Sequence, residues 1–160
     1  MQKITPFLWF DRNAEEAMHF YTSLFPDSKI INIQRYPDGP LEGPMKGFEG
    51  QVLTGTFEML GQQFMCLDGG PVFKPTAAVS FLVLCEDQAE IDRYWTALSV
   101  DPAFEQCGWL KDKYGFSWQI VPKGMDEMLN NPDKAKAARA MAAMMEMKKI
   151  DIAKLKEAAV

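Results

Sequence analysis

One histidine, His19, is all that the 160 residues contain. A metal centre built on two imidazoles is therefore excluded, and any histidine-served nucleophile would have to find this one ring. Cysteine is scarce as well: Cys66, Cys85 and Cys107 are odd in number and show no CxxC spacing. Neither a disulfide framework nor a zinc site is suggested, and a reduced compartment fits. No apolar run approaches the ~20 residues that a membrane span requires. The opening MQKITPFLWF has too short an apolar stretch for a signal peptide and no small-residue cleavage site, so the cytoplasm is the expected location. Positive charge is in deficit, with 17 Lys and Arg against 22 Asp and Glu and a net charge of −5. Phosphate binding needs a basic face, so nucleic acid is not an expected partner. The basic cluster of Lys134, Lys136, Arg139, Lys148 and Lys149 reads as a solvated helix face.

What the chain has is apolar bulk and a repeated phrase. Hydrophobic residues make up 48%, including 11 methionines, which suit the filling of irregular core gaps. Residues 20–24 read FYTSL and residues 94–98 read YWTAL, so Phe20 answers to Tyr94 at an offset of 74. Each phrase sits inside the same order of elements. Ile4 to Phe10 reads as a buried strand, with Asp11 or Asn13 capping a helix whose apolar face is Ala14, Ala17, Met18, Tyr21, Leu24 and Phe25. Pro26 stops that helix, and Ser28 to Tyr36 is an alternating strand. A loop rich in glycine and proline follows from Pro37 to Gly50. Gln51 to Leu67 then holds two strands joined at Leu60-Gly61.

The pattern restarts with a strand at Ala77 to Cys85 and a helix at Glu86 to Ser99. Strands follow at Phe104 to Leu110, broken by Gly108, and at Gly115 to Val121; one more short strand is placed around Val100 to Ala103. The expectation is a single domain over 1–160 made of a first module, 1–72, a second, 73–124, and a helical tail, 125–160. In the tail, Asn131-Pro132 opens a helix from Lys134 to Lys149, with Asn131 as cap, and Asp151 caps a last one from Ile152 to Ala158. A unit of ~70 residues is marginal alone, so two units side by side are expected to curl one sheet around a shared cleft.

Four stretches, TPFLWFDRNAEEAMHFYTSLFPDSKI, GQQFMCLDGGPVF, QCGWLKDKYGFSWQIVP and MMEMKKIDIAKL, make the chain resemble the PhnB-like branch of the vicinal-oxygen-chelate superfamily. That superfamily holds glyoxalase, bleomycin-resistance and extradiol dioxygenase proteins, and the branch often carries the label 3-demethylubiquinone 3-methyltransferase. The resemblance implies an α+β fold of tandem βαβββ modules, here with extra C-terminal helices. It also implies four metal-ligand positions, which fall on Pro6, Cys66, Ser80 and Gln119. Proline has no donor to offer and a neutral serine is a poor ligand, so a metal-free site without cofactor is expected. The methyltransferase label is discounted, because Asp68-Gly69-Gly70-Pro71 is followed by Val-Phe-Lys-Pro, which cannot open the helix that a nucleotide-type cofactor needs.

Strand alternation supplies a pocket instead. On the last strand Ser117, Gln119 and Val121 oppose Phe116, Trp118 and Ile120, and the mixed set is expected to face the cleft. By the same alternation Leu8, Phe10, Phe64 and Cys66 are expected to join Ser117 and Gln119 there, with Trp109 beside the Gly108 break and with Ser80, a position that the resemblance turns into the cleft, making a mostly apolar wall with a few hydrogen-bonding groups. The residues leave three functions standing: a binding protein for a small apolar or aromatic molecule, a metal-dependent enzyme of the superfamily type, and a dimer serving a protein partner. A homodimer is expected, with the tail face Ala138, Met141, Met145 and Lys148 seeking an apolar surface on a neighbouring subunit or on the modules' joint edge.

Overall fold

The computed structural model describes residues 2–160. Its contacts divide the chain into a unit that ends at Lys74 and a unit that begins at Pro75. Both are α+β, each a small sheet with a helix on one side.

The first unit runs β1 (Phe7–Phe10), α1 (Ala14–Leu24), β2 (Lys29–Arg35), β3 (Val52–Met59) and β4 (Gln62–Asp68). Its sheet has the order β1-β4-β3-β2, with β1 parallel to β4 and the other pairs antiparallel. Leu60 and Gly61, both at positive φ, make the tight turn between β3 and β4, as hairpin twist demands. The core lies between sheet and helix. Tyr21 stacks on Phe57 at 6.3 Å and Phe57 on Phe64 at 5.5 Å. Full burial of such a ring contributes about 2–3 kcal/mol. Gly55 lets α1 come close: a Cβ there would stand 2.3 Å from Met18 Sδ and 2.9 Å from Cys66 Sγ.

The cap of α1 comes from neither Asp11 nor Asn13. The Asp68 carboxylate, at the end of β4, accepts the N–H groups of Asn13 at 3.1 Å and Ala14 at 3.0 Å. A long-range carboxylate thus satisfies the helix's orphan donors and meets its positive end. Tyr36 closes the site by donating its hydroxyl to the Asp68 carbonyl at 3.0 Å.

The second unit runs β5 (Ser80–Cys85), α2 (Gln88–Leu98), β6 (Trp109–Lys111) and β7 (Ser117–Pro122), followed by α3 (Met125–Leu129), α4 (Lys134–Met145) and α5 (Ile152–Ala158). Its sheet has the order β5-β7-β6, with β5 parallel to β7. Two expectations need correction here. Val100 to Ala103 holds no strand; a 3-10 turn spans Pro102–Phe104. Phe104 to Leu110 is not one broken strand but a reversal. Cys107 and Gly108 both have positive φ, and Gln106 and Trp109 exchange two main-chain hydrogen bonds across them. The glycine that looked like a break is the second corner of a tight turn.

The repeated phrase also shifts by one. The buried residues of α1, Met18 and Tyr21, and the following Phe25 correspond to Ile91, Tyr94 and Leu98, an offset of 73 rather than 74. Burial decides the register, since Tyr21 and Tyr94 are the aromatics under their helices while Phe20 and Trp95 are half-buried.

The tail packs within the second unit. Cys107 N–H donates to the Met147 carbonyl at 2.8 Å and Gly108 N–H to that of Lys148 at 2.7 Å. The Gln88 side chain clamps Ile150 and Ile152 by their main chain. Ala140, Ile150 and Leu155 are buried, whereas the stripe of Ala138, Met141, Met145 and Lys148 stands exposed. Asp133, not Asn131, caps α4, and α3 was not anticipated. Asp151 caps α5 as expected. No helix among the described residues is long and apolar enough to cross a membrane.

Candidate functional site

In each unit one sheet face is closed by a helix, so any site on the sheet belongs to the other face. Cross-strand partners point to the same side of a sheet, and the registers therefore sort the expected site residues.

Leu8, Phe10, Phe64 and Cys66 are on the wrong side for a cleft. Leu8 pairs with Cys66 and Cys66 with Gly55, whose missing Cβ would meet Met18 of α1. Phe10 pairs with Asp68, and Phe64 stacks on Phe57 beneath Tyr21. All four are buried in the core under α1. Burial pushes the Cys66 thiol up to about 12, which leaves it protonated and inert. The alternation in FLWF and QFMCLD was legible, but both parities are apolar, so the sequence did not say which one the helix covers.

The face opposite α1 carries the other parity. Phe7, Met65, Thr56 and Asn32 form one cross-strand row; Trp9, Leu67, Thr54 and Gln34 form the next. Phe7 is 52% exposed. Trp9 is held on three sides. Its indole N–H donates to the Gly70 carbonyl at 2.8 Å, Phe73 meets it edge-on at 4.9 Å, and the ring lies on Gly69, where a Cβ would stand 2.1 Å from Cζ2. Gly69 and Gly70 are thus spent on seating an indole. Of these residues only Gly69 and Gly70 stand out in the sequence, as a turn. The glycine pair just beyond β4, some 60 residues after Trp9, was the available signal.

In the second unit the expected residues fall together. Cys85 lies toward α2, where Glu90, Asp87 and Arg93 act on its thiol, which burial above all pushes up to about 12. The opposite parity is Ser80, Leu82, Leu84, Trp109, Lys111, Ser117, Gln119 and Val121. Ser80, Trp109, Ser117 and Gln119 therefore share the face turned from α2. Gln119 stands between Trp109 and Leu82 in one row, and its amide N–H donates to the Ser80 hydroxyl at 2.8 Å. Leu82 and Leu84 are 55% and 53% exposed. A solvated sheet face is ordinarily polar; this one is not.

The four positions that the resemblance assigns to metal ligands do not fit a divalent cation. Cys66 is sealed under α1, and Pro6 offers only a carbonyl already accepting from Met65 N–H at 2.9 Å. Ser80 and Gln119 remain, an uncharged pair bonded to each other. Among the described residues no three His, Cys, Asp or Glu side chains gather at one point. A nucleotide-type methyl donor fits no better, because residues 71–79 after the glycine pair contain no helix whose N-terminus could meet it.

Two surface depressions of about 400 and 430 Å³ lie elsewhere in the second unit and share Lys156. In the first, the acidic side chains are already engaged: Asp87 and Asp151 cap α2 and α5, and Glu86 pairs with Lys123; the second carries one acidic side chain, Glu127, beside Lys123 and Lys156. They hold none of the sheet-face residues.

A family model described as 3-demethylubiquinone-9 3-methyltransferase matches residues 2–121. Among solved structures, a putative 3-demethylubiquinone-9 3-methyltransferase, PhnB protein, from Bacillus cereus is 44% identical, with a TM-score of 0.63 over 76% of this chain and 99% of that one. Protein PA1353 from Pseudomonas aeruginosa shares the fold at 21% identity, with a TM-score of 0.57 over 76% and 96% of the two chains. No curated protein matches the chain.

Proposed function

Because the chain belongs to the PhnB-like branch of the vicinal-oxygen-chelate superfamily, we propose that it binds a small apolar or aromatic molecule without a metal, on the sheet faces turned away from its helices. The observation that carries this reading is the exposure of Leu82 and Leu84 beside the Ser80–Gln119 pair, on a sheet face that solvent alone would have kept polar. The first unit's face adds Phe7, Trp9, Met65 and Leu67. Apolar walls with a few placed hydrogen-bonding groups are what small-molecule sites are made of.

A metal-dependent lyase, isomerase or dioxygenase would need donors that these faces lack. A methyltransferase would need a cofactor cradle that Gly69 and Gly70 do not make. The cytoplasm and a homodimer remain part of the proposal, the latter supported by the exposed α4 stripe.

The test is the fluorescence of 8-anilinonaphthalene-1-sulfonate with the full-length protein, read alongside native mass spectrometry. Enhancement lost in Leu82→Lys and in Phe7→Lys, with both variants folded, supports the reading. Enhancement unaffected by both variants removes it, and so does stoichiometric metal that leaves with a site variant.

A further inference from the structure

The polar corner of the second unit's open face is richer in donors than an apolar ligand requires. Ser80, Ser117 and Lys111 form one cross-strand row, directly beside the row of Leu82, Gln119 and Trp109. Neighbouring strands lie about 4.8 Å apart, so these groups fall within the span of one small molecule. Ser117 is only 4% exposed, and its hydroxyl takes part in no hydrogen bond among the described residues. Among the described residues the one fully sealed side-chain oxygen without a partner is Asn13 Oδ1, so the Ser117 hydroxyl keeps contact with the open side and is free to donate. Gln119 spends one amide N–H on the Ser80 oxygen, which leaves the Ser80 O–H and the second amide N–H free to donate. Lys111 forms no ion pair among the described residues; its ammonium rests 3.3 Å from the centroid of the Phe104 ring. The face contains no acidic side chain, since its strand positions are Ser80, Leu82, Leu84, Trp109, Lys111, Ser117, Gln119 and Val121.

Donors here outnumber acceptors, and the one charge is positive. We propose that this corner receives a carboxylate, so that the ligand class is a small aromatic acid. Its ring lies on Trp109 and Leu82, and its carboxylate takes the hydroxyls of Ser80 and Ser117, the Gln119 amide and the Lys111 ammonium. This deepens the reading above and rests on it. Hydrogen bonds to an ionised group are the strong kind, and a compact ammonium on a flexible stem can leave an exposed ring to reach an anion. Side chains therefore do what a metal would do for the oxygens of a ligand, by hydrogen bonds and one charge.

The test is calorimetric titration of the full-length protein with 2-naphthoate and with its neutral counterpart 2-naphthalenemethanol, at one pH and one ionic strength. The acid is expected to bind at least about tenfold more tightly, a preference that one extra charge-assisted contact supplies. Lys111→Met should abolish the preference, Lys111→Arg should restore most of it, and Ser117→Ala should weaken the acid several-fold while leaving the alcohol unchanged. In ¹⁵N spectra the Gln119 side-chain amide, assigned by its loss in Gln119→Leu, should shift with the acid. Equal affinity for acid and alcohol overturns the carboxylate corner and leaves the apolar site standing. So does a preference that survives both Lys111→Met and Ser117→Ala. No binding of either compound at millimolar concentration overturns both.

Discussion

Trp9 lies on Gly69 so closely that the indole occupies the space a β-carbon would need. The contact joins β1 to the residue just beyond β4, and it fixes a large aromatic on the sheet face opposite α1. Gly69→Ala should unseat the ring and cost about 1–3 kcal/mol, the usual penalty of an overpacked contact. Urea unfolding together with tryptophan emission checks this. Unchanged stability would mean that the ring has room to move aside.

Asp68 should show that a cap need not be local. Asp68→Ala leaves the N–H groups of Asn13 and Ala14 without their acceptor and should cost about 1–3 kcal/mol. Asp68→Asn keeps an oxygen there and should cost less. Desolvation holds the Asp68 carboxyl above its ordinary value, against the pull of the main-chain N–H groups. The raised value means that this group's contribution is fullest below its unfolded pKa and falls as pH rises through the folded one. Asp68→Asn removes a contribution that falls as pH rises, so it should steepen the climb of stability with pH on the acid limb, and an unchanged limb would contradict this.

The three thiols should separate by reactivity. Cys66 and Cys85 are buried and raised to about 12, whereas Cys107 sits half-exposed at its turn. Iodoacetamide at pH 8 should add one group to the native protein, at Cys107, and three after unfolding, as read by intact mass. For thiols raised in the fold, stability is full below the free-thiol pKa near 8.5 and declines toward 12. A second alkylation of the native protein would show that one of the buried thiols opens.

The proposed dimer is decided by sedimentation equilibrium at micromolar concentration. A mass of twice 18.1 kDa is expected, falling toward the single-chain value in Met141→Glu with Met145→Glu. A single species at 18.1 kDa would end that proposal.

Where the sequence misled, the physical reason is local. The FYTSL phrase located both helices, but composition alone matched Phe20 to Tyr94, while packing matches Tyr21 to Tyr94. Strand alternation was readable in β7 because Ser117 and Gln119 interrupt the large residues, and those two share the open face with Ser80 and Trp109. It is unreadable in β1, where all four residues are large and apolar, and Leu8, Phe10, Phe64 and Cys66 lie in the core under α1 rather than on the open face. Asp68 as a cap was invisible because its partners lie 54 and 55 residues away in the chain.

The strap from Met147 to Ile150 bears on how the protein is made on the ribosome. In the first unit the strands, the helix and the Asp68 cap find their partners within residues 2–74, so these bonds can form while the rest is being translated. In the second unit they cannot: the N–H groups of Cys107 and Gly108 wait for carbonyls some 40 residues later, and Gln88 waits for Ile150 and Ile152, over 60 residues on. At about 5–20 residues per second, that interval leaves the β6 edge uncovered for seconds, and a slowing of translation within α3 or α4 would prolong it.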